Sequence, residues 1–197
     1  MKGSIRAVLA TSAALGLTAF GVAPASAGQS SPKPPQVVAD EWVHDVYKFP
    51  AGTACKDKIK VNEKYHYKLT VLKDTERYVK LREEFDHGYA KFYNPKTGRS
   101  VKVHLDSVGY VVDNKRTATA RVRERGSTYF QGLGIKGIAY LQGKYTFTIT
   151  NTQSGPEKSE FHIDEVHGKY VELCRKLGSS PVNGKLVIPP SFQQPQS

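Results

Sequence analysis

Apolar and polar side chains alternate strictly in YHYKLTV, residues 65–71. One face of this run carries Tyr65, Tyr67, Leu69 and Val71, and the other carries His66, Lys68 and Thr70. Successive side chains of a β-strand point to opposite faces, so a period of two predicts a strand with one buried face and one wet face.

The same alternation returns along the rest of the chain, in residues 101–105, 117–123 and 145–150. Turn-forming residues separate these runs: NPKTG at 94–98, DNK at 113–115 and the segment 151–158. Residues 74–85 fit a helical face and a strand, and we favour the strand. Regularly spaced strands predict an all-β fold, either a single antiparallel β-barrel or a β-sandwich. A short helix is expected around residues 171–177, because Gly178 follows as a stop.

The two ends of the chain differ in composition from the middle. Residues 1–27 begin with Lys2 and Arg6, continue with an apolar run and end on Ala-Ser-Ala, which is typical of a secretory signal peptide cleaved after Ala27. We expect a disordered leader at 28–39, a β-rich domain at 40–178 and a disordered, proline-rich tail at 179–197. After residue 27 no run approaches the roughly 18 apolar residues of a membrane helix, so we expect a secreted protein without a transmembrane segment.

The chain is basic, with 29 Lys and Arg against 18 Asp and Glu and a net charge of +11. Removal of the signal peptide takes away two bases and no acid, which leaves 27 bases against 18 acids and a charge of +9. Such a charge favours anionic partners. For a secreted protein, these are anionic polymers and lipid surfaces of the cell envelope, and we expect no nucleic acid.

The two cysteines, Cys55 and Cys174, lie near the two ends of the predicted domain. In an oxidising compartment, and with no third cysteine to compete, a single intramolecular disulfide is the simplest pairing. The alternative is a reactive or metal-binding thiol. No Cys-x-x-Cys pair and no His close in sequence to Cys55 support that alternative.

Four segments resemble a family of small secreted actinobacterial proteins of unknown function. They are FPAGTAC at 49–55, NPKTGRSV at 94–101, YLQGKYTFT at 140–148 and GKYVELC at 168–174. Members of that family have a signal peptide, one Cys near each end of a β-rich domain and an Asn-Pro-x-Thr-Gly hairpin. The resemblance implies a secreted β-rich domain and supports the disulfide, and it brings no catalytic or ligand-binding residue.

Motifs that would indicate an enzyme or a cofactor site stand in the wrong context. GLGIKG at 132–137 matches the dinucleotide-binding pattern, but the residues after it predict a strand where that motif requires a helix. On a strand, His162 and Asp164 would point away from Glu165 and His167, so these four side chains would not converge on a metal. We therefore predict no catalytic residue, no metal site and no cofactor.

Acidic pairs and nucleophiles give no clearer sign of catalysis. The chain has no G-x-S-x-G nucleophile motif, and both cysteines are assigned to the disulfide. Glu83, Glu84 and Asp86 are neighbours in sequence, which is typical of a solvated edge, and they do not form a visible catalytic pair.

The feature that points to a partner is a ladder of three arginines, Arg121, Arg123 and Arg125. On a strand they share one face at intervals of roughly 6.6 to 7 Å, which suits a linear polyanion. The competing interpretation is that Glu124 and acids of neighbouring strands neutralise the ladder. We predict a non-catalytic binding or surface-interaction module for an anionic cell-envelope polymer. The alternatives are a small-ligand-binding β-barrel with residues 132–137 as its lid, and a secreted enzyme.

Overall fold

The computed structural model describes residues 8–10, 14–16, 35–132, 135–152 and 160–183. Two short strands, β1 (Val8–Ala10) and β2 (Ala14–Gly16), pair with each other. The domain contains β3 (Gln36–Phe49), β4 (Ile59–Asp74), β5 (Tyr78–Tyr93), β6 (Ser100–Asn114), β7 (Thr119–Gly132), β8 (Ile135–Thr150), β9 (Glu160–Glu172) and the helix α1 (Leu173–Lys176). The predicted turn at 151–158 lies mostly outside the described residues.

Strands β3 to β9 form one antiparallel sheet in which each strand pairs with its neighbours in sequence. The prediction of an all-β antiparallel fold is therefore confirmed. The sheet is open: among the described strands, β3 and β9 are its two edges and do not pair with each other. The closed barrel is therefore not supported, because closure would require hydrogen bonds between these edges.

The alternation in residues 65–69 produces the expected two faces, whereas at the end of the run Thr70 is buried and Val71 is only partly buried. Tyr65, Tyr67 and Leu69 are buried on the inner face of β4, whereas His66 and Lys68 are partly exposed on the outer face. The ambiguous segment 74–85 is strand from Tyr78 onward, as favoured, because its inward residues complete the same core.

The hairpin predicted from Pro and Gly is present between β5 and β6. The amide of Asn94 donates to the carbonyl of Arg99 at 3.0 Å, and the amide of Gly98 donates to the carbonyl of Asn94 at 2.9 Å. Gly98 has φ of 72°, a conformation that glycine adopts without a steric penalty. The second predicted turn joins Asn114, the last residue of β6, to Thr119, the first of β7.

Three glycines bend the sheet in its middle. Gly126, Gly143 and Gly168 lie side by side on β7, β8 and β9, each with φ between 134° and 150°. A Cβ atom on any of them would lie 2.1 Å or less from a neighbouring carbonyl oxygen. After Ser127, the residue next to Gly126, β7 no longer pairs with β6, and the ring of Tyr129 lies 4.9 Å from that of Phe92 on β5.

The predicted disulfide between Cys55 and Cys174 is confirmed, with 5.5 Å between the Cα atoms. It joins the β3–β4 connection to α1, and both cysteines are buried. The predicted short helix is also confirmed as α1. It is capped by Glu172, whose carboxylate accepts from the amides of Cys174 and Arg175.

The first residues of the predicted C-terminal tail form backbone hydrogen bonds with the β3–β4 connection. The amide of Lys56 donates to the carbonyl of Ser180 at 2.8 Å, and that of Val182 donates to the carbonyl of Ala54 at 2.9 Å. Residues 179–183 are therefore held by backbone hydrogen bonds, which a composition rich in proline and glutamine does not reveal. At the other end of the domain, β3 begins at Gln36, ahead of the boundary predicted at residue 40.

Candidate functional site

The three arginines of the ladder lie on the outer face of β7. Arg121, Arg123 and Arg125 are exposed, and they alternate with Ala120 and Val122, which are buried in the core. The alternation in sequence thus places the three guanidinium groups on one side of the sheet, as predicted.

Two of the arginines line a cavity on this outer face with a volume of about 600 Å³. Its walls are formed by Lys80, Tyr110, Val112, Asn114, Thr117, Thr119, Arg121 and Arg123. These residues come from β5, β6, β7 and the β6–β7 turn, so three adjacent strands and one hairpin build the site.

The strand register arranges the cavity as an apolar strip between cations. Val112 pairs with Lys80 on one side and with Arg121 on the other. Tyr110, in the next outward position of β6, pairs with Arg123. The side chains of Tyr110 and Val112 are 43% and 41% exposed, so they are open to a ligand that the flanking cations attract.

The competing interpretation requires carboxylates that pair with the arginines of the ladder. Within the described ranges, no Asp or Glu forms an ion pair with Arg121, Arg123 or Arg125. Glu124 turns the other way, and its carboxyl group is buried on the inner face of the sheet. The guanidinium groups on this side are therefore available to an external anion.

Arg125 shares the face of the ladder but does not line the cavity. It pairs with Val108 on β6 and with Lys144 on β8, and it immediately precedes Gly126, where the sheet bends. Lys115, at the start of the hairpin, donates to Asp74 at 2.6 Å. The cavity thus uses two of the three predicted arginines, and Arg125 extends the cationic surface beyond its rim.

Lys80, Tyr110 and Val112 are among the lining residues that the sequence did not reveal. Val108, Tyr110 and Val112 alternate with Gly109 and Val111, so both faces of this part of β6 carry apolar residues. Periodicity alone cannot identify the outer face there. The signal that was present is position: Val108, Tyr110 and Val112 continue the face on which the polar residues Lys102, His104 and Asp106 lie.

A second set of ionisable groups lies inside the sheet. The hydroxyl of Tyr129 donates to Glu63, whose carboxyl group is fully buried. Burial, the largest influence, raises the pKa of Glu63 to about 8; the hydrogen bond from Tyr129 opposes this change, and the charge of Asp45 adds to it. At neutral pH the carboxyl of Glu63 is therefore mostly protonated.

Two more carboxyl groups face each other across β6. Glu83 and Glu124 both pair with Gly109, which has no side chain to separate them. Burial raises the pKa of both glutamates, and the charge of Glu124 raises that of Glu83 further. The hydroxyl of Tyr67 donates to Glu83 at 3.1 Å, and the neighbouring hydroxyl groups of Ser107 and Tyr145 partly oppose the rise in the pKa of Glu124.

The acids that neighbour each other in sequence therefore do not converge. Glu83 points inward, whereas Glu84 accepts from Arg82 at 2.8 Å on the outer face. Asp86 contacts Nδ1 of His66 at 3.1 Å, also outside.

The metal-capable residues of β9 contact each other only in two separate pairs. Nε2 of His162 lies 4.0 Å from a carboxylate oxygen of Asp164, and Nε2 of His167 lies 2.5 Å from one of Glu165. All four residues are on the exposed edge strand. Among the residues described by the structure, no group of three or more such side chains is arranged to hold a metal ion.

The dinucleotide-like motif at 132–137 leads into β8, as the sequence predicted, and not into a helix. Residues 133 and 134 of this motif, and with them the lid expected there, lie outside the described residues.

In the described parts of the chain no helix has the length and apolar character needed to cross a membrane. No protein-family model, curated protein or solved structure matches the chain.

Proposed function

We propose that this chain is a secreted, non-catalytic binding module that holds an anionic, phosphate-bearing polymer of the cell envelope. The observation that carries the proposal is the cavity on the outer face, in which Arg121 and Arg123 have no carboxylate partner among the described residues. A guanidinium group binds a phosphate through two parallel hydrogen bonds, which gives both affinity and orientation.

The spacing of the cations suits a repeating anion. Arg121, Arg123 and Arg125 follow one another at about 6.8 Å, twice the rise of an antiparallel strand. Lys80 faces Arg121 across Val112, so cations flank both sides of the cavity floor. A polymer with regularly spaced phosphates would contact several of these groups at once, and these contacts reinforce one another.

The test compares four proteins in binding to poly(glycerol phosphate), at low and at physiological salt. They are the wild type, a triple Arg→Lys variant of the ladder, a triple Arg→Gln variant, and a control in which Lys136, Lys169 and Lys176 are replaced by Gln. The control lysines are exposed on β8, β9 and α1. Their replacement by Gln removes the same charge as the triple Arg→Gln substitution.

We expect the Arg→Gln variant to lose binding and the Arg→Lys variant to bind about tenfold more weakly, because lysine keeps the charge but lacks the two-pronged contact. The control should bind nearly as well as the wild type. Equal affinity of all four proteins would contradict the proposal. Equal loss in the Arg→Gln variant and the control would reduce it to unspecific attraction.

A further inference from the structure

A second cationic surface lies on the outer face of β3 to β6. On β5 and β6 it occupies the opposite end of the strands from the cavity. Three rows of paired residues build it: Lys48, Lys60, Tyr93 and Ser100; Val46, Asn62, Lys91 and Lys102; and His44, Lys64, Tyr89 and His104. These twelve positions contain five lysines, two histidines and no carboxylate. We call this surface the lysine face.

The five lysines of this face are exposed and have no acidic partner. In the part of the chain that the structure describes, none of them forms an ion pair. Three carboxylates border the face. Asp40 and Asp86 are engaged by His66 at 2.9 and 3.1 Å, and Asp106 follows His104 by two residues on the exposed side of β6. The charge of the lysine face is therefore directed outward and is not compensated within the protein.

Two large apolar side chains accompany this charge on the edge strand β3. Trp42 is 57% exposed and Val46 is 66% exposed. The Nζ of Lys64 lies 5.0 Å from the centre of the Trp42 ring, and Lys102 lies 4.2 Å from that of Tyr89. Trp42 is exposed and Tyr89 is partly exposed. Lysines next to accessible tryptophan and tyrosine are typical of surfaces that rest on the headgroups of a bilayer.

We propose that the lysine face, together with Trp42 and Val46, docks on an anionic lipid bilayer. The lysines attract the negative surface, since each lysine near an anionic membrane adds to the affinity. Trp42 and Val46 enter the interfacial region, where their apolar surface leaves water. This surface shares no residue with the arginine cavity, although both include residues of β5 and β6, so variants can test the two interactions independently.

Trp42 is the only tryptophan of the chain, so its fluorescence reports the contact directly. The protein without the predicted signal peptide is titrated with vesicles of phosphatidylcholine alone and of phosphatidylcholine mixed with phosphatidylglycerol. Only the mixed vesicles should shift Trp42 emission to the blue and allow quenching by lipids brominated on their chains, and high salt should abolish both effects. Salt-sensitive binding without a change at Trp42 would overturn the proposal.

Substitutions test whether vesicle binding takes place on the lysine face. Replacement of Lys48, Lys60 and Lys91 by Gln should weaken vesicle binding about 100-fold, measured by sedimentation. Trp42→Ala should weaken it about tenfold. The control variant of Lys136, Lys169 and Lys176, which loses the same charge, should bind as the wild type does; a loss equal to that of the lysine-face variant would overturn the assignment. Poly(glycerol phosphate) binding, measured on the same proteins, tests the arginine cavity separately.

Discussion

Glu63 illustrates how a single residue links burial to pH. Its carboxyl group is buried against Tyr129 and near Asp45, and no described cation lies beside it. A carboxyl whose pKa is raised in the folded state stabilises the fold below its unfolded pKa of about 4.5, and this contribution is lost as pH rises through about 8. Glu83 and Glu124 act in the same direction, because burial raises the pKa of both.

We therefore predict that the free energy of unfolding falls between pH 5 and pH 8, by up to about 1.4 kcal/mol per pH unit for each such group. Glu63→Gln should reduce the slope of unfolding free energy against pH by the contribution of one proton, and it should stabilise the domain at pH 8. Urea unfolding at a series of pH values measures both effects. Glu76→Gln, at an exposed turn position, is the control. An unchanged slope in the Glu63 variant would contradict the assignment.

Among the elements, β7 shows most clearly what the sequence can predict. Its first half alternates Ala120 and Val122 with the arginines, so the strand and its outer face follow from period two. Period two does not predict the second half of β7. Tyr129 and Gln131 fall at the same alternating positions as the arginines, yet they are buried. The bend at Gly126 turns this half over the core, and an isolated glycine in a strand does not specify such a bend.

The row formed by Gly126, Gly143 and Gly168 on three adjacent strands leads to a prediction about β8. Gly143→Ala should destabilise the domain by at least about 2 kcal/mol, because it adds backbone strain at φ of 137° and a Cβ atom 2.1 Å from the carbonyl oxygen of His167. Gly109→Ala is the matched control, since its Cβ would meet Glu124 at 3.5 Å, an ordinary contact. Equal unfolding free energies for the two variants would show that the bend does not need glycine.

The cavity depends on contacts between elements, and for this reason only part of it could be predicted. Arg121 and Arg123 could be recognised within one strand. Lys80 and Tyr110 join them only through the register of β5 with β6 and of β6 with β7, which local pattern does not fix. The two cysteines could be paired from sequence because the chain offers no other partner.

At the scale of the whole molecule, the Cys55–Cys174 bridge joins segments 119 residues apart in sequence. Cross-linking so long a loop removes much of the entropy of the unfolded chain, and we predict that a Cys55→Ser, Cys174→Ser variant loses about 2 to 5 kcal/mol of unfolding free energy. Denaturant titration with and without the bridge measures this. Both cysteines are buried, so a mild reductant should act on the protein only after unfolding. Reduction of the native protein at the rate of an exposed disulfide would contradict this.

Charge is also distributed over the whole molecule in an ordered way. Glu63, Glu83 and Glu124 lie inside, whereas the arginine ladder and the lysine face lie outside on different strands. A chain with only a modest excess of bases therefore presents two strongly cationic outer surfaces. This segregation is the basis for our proposal of an anionic partner.

The most direct test of the arginine cavity is a map of the bound polymer by nuclear magnetic resonance. Poly(glycerol phosphate) is titrated into labelled protein at physiological salt, and the backbone amides and arginine Nε–H groups are followed. The largest changes should fall on Lys80, Tyr110, Val112, Arg121 and Arg123, with smaller ones at Arg125. Changes confined to the lysine face or to β9, with the cavity residues unmoved, would contradict the account.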